Sequence, residues 1–211
     1  MTARKPRALL VLGESDNDQA TIGTLVQALR SDTPALLKRR SPMVLMKGRE
    51  AAKRKKSAEN IAAAVRRESR RFDVRGVIAH EDCDDYEPEH EPLASDIEAR
   101  LEACGLCCIA AVPAWETEAW LFLWPDAARE VVPGWNRPSR RGQDLGRIRG
   151  AKEEYRKALR PKKHGKKLRD YVESDAPKIA EAVRRLGIVS ELDAKSASFE
   201  RFRSKICAAV W

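Results

Sequence analysis

The sequence predicts an α/β fold built on a mostly parallel sheet with helices on both faces. Densely apolar runs recur at 8–12, 74–79 and 107–112, without the clean alternation of a half-exposed strand. Segments with helical spacing of apolar residues lie between them, and strands apolar on both sides belong to sheets that are covered on both sides. Acidic residues follow the ends of these runs, at Glu14, at Asp82 and Asp84, and at Glu116 and Glu118. Sheets of this kind bind their ligands at that end.

Ala8 to Leu12 reads as the first strand, closed by Gly13-Glu14-Ser15-Asp16. Ala20, Ile22, Leu25, Val26 and Leu29 follow at helical spacing, with Asp16 or Asp18 as the cap. Ser41 to Met46 reads as a second strand. Ala51 to Arg71 reads as a long helix with Ile61, Ala64 and Val65 inward. Its outer face is strongly basic, with Lys53, Arg54, Lys55, Lys56, Arg66, Arg67, Arg70 and Arg71. Val74 to Ala79 is the third strand. Leu93 to Ala103 is a helix with Ile97 and Leu101 inward, stopped by Gly105. Cys107 to Val112 is the fourth strand, ended by Pro113. Beyond Trp124 the character changes: Pro125, Pro133, Pro138 and several arginines mark 125–150 as a linker or hinge loop over the sheet edge. Helical patterns return over 151–159, 166–172, 176–186 and 199–210. The expected organisation is therefore a sheet domain over 1–124, the linker, and a helical C-terminal extension over 151–211.

Composition bounds the function. Of 211 residues, 43% are hydrophobic, enough for a real core, and the net charge of +9 favours a polyanionic partner, nucleic acid first. The acids at 81–91 interrupt basic segments at 38–71 and 137–169. A metal-dependent enzyme acting on a phosphate backbone needs this pattern, and ordinary surface charge also produces it. No 18-residue apolar stretch predicts a membrane span, and the run at 8–12 is too short for a signal-peptide core. The five cysteines are an odd number without small-scaffold spacing, so reduced thiols in the cytoplasm are expected.

Val77-Ile78-Ala79-His80-Glu81-Asp82-Cys83-Asp84-Asp85 carries the densest chemistry. Four carboxylates follow a short apolar run. Oxygen donors at this density suit a hard cation such as Mg2+, and a solvated acidic loop is the bland alternative. In extended backbone Asp82 and Asp84 share a side and bracket one ion. Glu14 suits general acid/base or metal-ligand work at a strand end, and equally a favourable charge in a first helical turn. Glu116 and Glu118 open a helix and divide the same way. His80-x2-Cys83 with Cys104-x2-Cys107 has zinc-like spacing, weighed against cysteines that are simply small buried residues. Arg140 and Arg141, with Lys162, Lys163, Lys166 and Lys167, form the strongest basic concentration, a candidate tether for a phosphate backbone.

The order of these motifs resembles the Toprim fold of topoisomerases, primases and OLD-type nucleases. The resemblance is closer to a small Toprim-like bacterial family related to OLD-type and RloB-type nucleases. It is carried by Leu10-Val11-Leu12-Gly13-Glu14, by Val77 to Asp84, by Val112 to Leu123 with its Glu-x-Glu-Ala-Trp-Leu core, and by the tail around 176–181 and 196–202. It implies Mg2+-dependent (or Mn2+-dependent) cleavage of nucleic acid phosphodiesters, DNA before RNA, in bacterial anti-phage defence. Glu14 would be the general acid/base and a metal ligand. Asp82, Asp84 and Glu118 would hold metal at the catalytic centre, with Glu116 beside them. A partner protein, such as an ATPase encoded nearby, is also implied. Two departures stand out. His80 and Glu81 separate the apolar run from Asp82. The only tyrosines, Tyr86, Tyr155 and Tyr171, lie in a chain too small for strand passage, which argues against a topoisomerase. The rival expectation is a non-catalytic Toprim-like module that binds nucleic acid or a partner.

Overall fold

The computed structural model describes residues 4–40, 50–161 and 168–211. Its centre is a sheet of four parallel strands: β1 (Arg7–Gly13), β2 (Ala35–Arg40), β3 (Asp73–His80) and β4 (Cys108–Ala111). They lie in the order β2-β1-β3-β4. The chain steps from β1 outward to β2, returns across to β3, and then steps the other way to β4. The order therefore reverses between β1 and β3, and a crevice opens at such a switch point beyond the carboxyl ends of the strands.

Side chains alternate cleanly between the two faces. Leu10, Leu12, Val77, Ala79, Cys108 and Ala110 point to one side. They are covered by α2 (Ala51–Glu68) through Ala58, Ile61 and Val65, and by α3 (His90–Glu102) through Ala94, Ile97 and Leu101. Leu9, Val11, Ile78, Ile109 and Ala111 point to the other side. There α1 (Asp16–Leu29) contributes Ile22, Leu25 and Val26. The rest of that layer comes from the second half of the chain: α4 (Glu118–Leu121), α5 (Ala127–Val131), α6 (Ala151–Leu159), α7 (Ala176–Leu186) and α8 (Ala197–Ala208). Trp120 stacks on Phe202 and meets Phe199 edge-on, and Trp124 also meets Phe199 edge-on. The C-terminal helices thus complete the cover of the sheet. No helix among the described residues is long and apolar enough to cross a membrane.

Several expectations need correction. The strand expected at 41–46 lies outside the described residues; a strand that was not expected, β2 at Ala35–Arg40, pairs with β1 from Ala8↔Ala35 to Gly13↔Arg40. Its last residues, Lys38 to Arg40, are basic, which hid it from a search for apolar runs. The α1 cap is Ser15 rather than Asp16 or Asp18. The Ser15 Oγ accepts from the Asp18 N–H at 3.2 Å while Asp18 accepts from the Ser15 N–H at 3.0 Å, a reciprocal capping box. The segment 125–150, expected as a linker or hinge loop, holds α5 and a 3-10 turn at Leu145–Arg147, and it buries Trp135 and Leu145 in the core. Of the helix expected at 166–172, residues 166 and 167 lie outside the described residues, and 168–172 is irregular. There Arg169 pairs with Asp175, Val172 N–H donates to Asp175 at 3.1 Å, and Tyr171 turns its ring into the core.

Candidate functional site

A cleft of about 200 Å³ lies where the carboxyl ends of β1, β3 and β4 meet α4, α6 and α7. Its walls include Glu14, Asp18, Asp82, Glu116, Thr117, Glu118, Lys152 and Glu173. Four of the expected acidic residues, Glu14, Asp82, Glu116 and Glu118, are thereby brought together from after three different strands. Asp84 does not line the cleft. The chain leaves its extended path after His80, and Asp84 takes a positive φ of 51°, so the alternation that would align it with Asp82 is broken.

Each carboxylate is held by a named contact. Glu14 Oε1 accepts from the Asp82 backbone N–H at 3.1 Å, across the β1/β3 switch point. Asp82 Oδ1 lies 3.2 Å from His80 Nε2. The same imidazole nitrogen is 2.8 Å from Thr117 Oγ1, which ties the β3 end to the start of α4. Glu116 Oε2 accepts from the Lys152 N–H at 3.0 Å, at the first turn of α6. Glu118 Oε1 accepts from Tyr171 Oη at 2.9 Å, in a buried position. The Lys152 ammonium pairs with Glu173 and is the one cationic side chain among the described lining residues.

Electrostatics follow from this crowding. Loss of solvent pushes the Glu118 carboxyl up to about 7, the charges of Asp82 and Glu116 push the same way, and the Tyr171 hydroxyl opposes them. Glu14 is raised by desolvation of its carboxyl end and then by the charge of Asp82. Glu116 is raised by desolvation against the opposing Lys152 N–H, with Asp82 adding to the rise. Burial pulls His80 down, but its bond to Asp82 and the charges of Asp82, Asp18 and Glu14 outweigh this and push it up to about 9. The cleft therefore holds carboxyls that resist ionising together unless positive charge enters. Among the described residues, no three His, Cys, Asp or Glu side chains close around one point tightly enough to hold a metal by protein ligands alone.

The zinc-like pairs do not assemble. Val77 pairs with Cys108 and His80 with Ala111, so Cys104 and Cys107 lie by the opposite end of β4 from His80. Of the basic residues, Lys162, Lys163, Lys166 and Lys167 lie outside the described residues. Arg140 is engaged by Glu154 at 3.3 Å and lies over the Phe122 ring. Arg141 is exposed but lines a different hollow, with Arg137 and Asp193. Residues that sequence reasoning did not assign to the site are Asp18, Thr117, Lys152, Tyr171 and Glu173. Asp18 carried a visible signal as a helix-start acid. Lys152, Tyr171 and Glu173 carried none, because their neighbours in space are remote in sequence. Comparison with known protein families, with characterised proteins and with solved structures finds no match to this chain.

Proposed function

We propose that the protein is a metal-dependent nuclease with a Toprim-like centre, cutting phosphodiester bonds in the cleft at the carboxyl end of its sheet. One observation carries this reading: Glu14, Asp82, Glu116 and Glu118 converge on one opening at the β1/β3 switch point, with Glu14, Glu116 and Glu118 raised by desolvation and like charge. An oxygen-only donor set of this kind fits Mg2+, or Mn2+, which takes one or two carboxylates and keeps several waters. It does not require the closed trio of protein ligands that the described residues lack.

Two of the three carboxylates Asp82, Glu116 and Glu118 would hold the ion, completed by waters, with Glu14 beside them. When bound, such an ion supplies charge neutralisation at a phosphoryl oxygen and a more acidic water. The remaining work belongs to the chain. His80 and Thr117 both reach the same Asp82 oxygen, Oδ1, at 3.2 and 3.5 Å, and so hold that carboxylate in place. Glu14 is oriented by the Asp82 N–H and has a raised pKa suited to accepting a proton from water and returning one to the leaving oxygen. Lys152 brings to the cleft wall the one ammonium among the described lining residues, where a phosphate could be met by positive charge.

The test is an assay of supercoiled, linear and single-stranded substrates with Mg2+ or Mn2+, run beside Asp82→Asn and Glu118→Gln. The expected outcome is metal-dependent cutting that falls at least 100-fold, roughly the scale of losing a charge-stabilising group, in either variant. Binding without any metal-dependent cutting, equal in all three proteins, would replace the nuclease with a non-catalytic nucleic-acid-binding module.

A further inference from the structure

Two aromatic side chains meet on the loops that supply Asp82 and Glu116 to the cleft. Tyr86, in the loop between β3 and α3, is 41% exposed and is the one aromatic among the exposed large hydrophobic side chains described. Its ring stands edge-on to Trp115, with centroids 5.3 Å apart and planes at 80°. The Arg149 guanidinium lies 5.7 Å over the Trp115 ring. The backbone fixes the pair. Asp84 N–H donates to the Trp115 carbonyl at 3.0 Å, and Trp115 N–H donates to the Asp85 carbonyl at 3.1 Å.

Asp84 and Trp115 both sit at positive φ, 51° and 58°. Non-glycine residues hold that conformation only where surrounding contacts over-determine it. The arginine-bearing segment is docked on the same loop, because Glu87 N–H donates to the Gly146 carbonyl at 3.0 Å. Trp115 directly precedes the cleft residue Glu116, and Tyr86 follows the cleft residue Asp82 in the same loop.

We propose that Tyr86 is a stacking platform for an unpaired nucleobase, so that the cleft takes single-stranded rather than duplex nucleic acid; this rests on the phosphodiester reading above. Every base has a π face that stacks on an exposed aromatic ring, and in a duplex both faces are already covered by neighbouring bases. Charge favours the same substrate. Exposed Asp84, Asp85 and Glu89 share the loop with Tyr86 and oppose the dense phosphate array of a duplex. A single strand can turn its base to Tyr86 and its backbone toward Arg149. The Arg149–Trp115 contact holds that cation in place by the attraction of a guanidinium for a ring face.

The experiment measures binding of the full chain, in EDTA, to short fluorescent single strands of DNA and RNA and to the matching duplexes. Unaltered protein is compared with Tyr86→Phe, Tyr86→Ala and Arg149→Ala, and a 2-aminopurine base in the strand reports stacking. Unaltered protein and Tyr86→Phe should prefer single strands and quench the probe. Tyr86→Ala should bind single strands roughly tenfold more weakly, lose the quench and leave duplex binding unchanged. Arg149→Ala should weaken single-strand binding and flatten its salt dependence. Thermal unfolding of Tyr86→Ala checks that the exposed ring was removed without loss of the fold. Equal single-strand binding by folded Tyr86→Ala overturns the inference, as does no single-strand binding or a duplex preference by the unaltered protein. EDTA excludes turnover, so the two readings fail separately. Tyr86-dependent binding without metal-dependent cutting removes only the nuclease. Cutting that is indifferent to Tyr86 and to strandedness removes only the platform.

Discussion

Glu118 shows most directly how single residues set the behaviour of this protein. Its carboxyl is buried, is bonded by Tyr171 and is pushed up to about 7 from an ordinary 4.5. An acid with a higher pKa folded than unfolded favours the fold while protonated. That advantage is complete below the unfolded value and is lost as pH rises through the folded one. His80 acts in the same direction: raised from 6.5 to about 9, it favours the fold below its unfolded value and stops doing so as pH climbs through the upper one. Stability of the metal-free protein should therefore fall between about pH 4.5 and pH 7 as Glu118 ionises, by an amount on the order of 3 kcal/mol, and again between about pH 6.5 and pH 9 as His80 loses its proton. Glu118→Gln should flatten the first of these slopes in denaturant melts followed across pH; an unchanged slope there would refute the assignment. Mg2+ should oppose the fall, because it favours the ionised carboxyl. The acidic residues themselves were legible in the sequence as acids after strand ends. What was not legible is which of them face one opening. Asp84 reads as well as Asp82 by spacing, and only its left-handed backbone separates the two.

Among the elements, α8 shows how a helix is tied to the sheet it covers. Glu98 of α3 accepts from the Ala110 N–H at 3.1 Å on β4, from Arg201 at 2.7 Å and from Lys205 at 3.1 Å. Burial alone would raise this carboxyl, but Arg201, the Ala110 N–H and Lys205 together hold it below its usual value. Its contribution is present above the ordinary carboxylate pKa and is lost on acidification, opposite to Glu118. Arg201→Met should strand part of that charge and cost on the order of 2 to 3 kcal/mol in urea melts. Ser15→Ala, which removes one side of the α1 capping box, should cost about 1 kcal/mol. A loss below a few tenths for Arg201→Met would mean that Lys205 alone satisfies Glu98. Element types were largely readable: α6 and α7 fall where their periodicity put them. The misses share a cause. β2 carries Lys38, Arg39 and Arg40, and 168–172 owes its irregular path to Asp175 and Glu118, partners that local spacing does not reveal.

For the molecule as a whole, the parallel sheet and its two helical layers followed from the apolar runs, whereas the placement of the C-terminal half did not. It was expected as an extension beyond a linker, yet Tyr155, Ile179, Phe199, Phe202 and Ile206 belong to the same buried cluster as Leu9 and Val11. The cleft depends on that arrangement, since Lys152 and Glu173 form one of its walls. Removing residues 197–211 should bare Trp120, Trp124 and the face of α1 they adjoin. The shortened chain should bind a hydrophobic dye, lose its cooperative unfolding transition and aggregate on concentration. A monomeric, cooperatively melting product would show that the sheet is sufficient without this cover.

The same seating of α8 has a consequence during synthesis. A ribosome releases the sheet strands first, and β1, β3 and β4 can align as soon as Ala111 has emerged. When Ala111 emerges, one side of that sheet has only α1 over it, and its cover is not complete until Phe199, Phe202 and Ile206 leave the exit tunnel, many seconds later at ordinary elongation rates. A nascent chain in this interval presents an apolar surface to whatever chaperone stands at the tunnel mouth. Slowing translation downstream of Ala111 should therefore lower the soluble yield more than the same delay placed before β1.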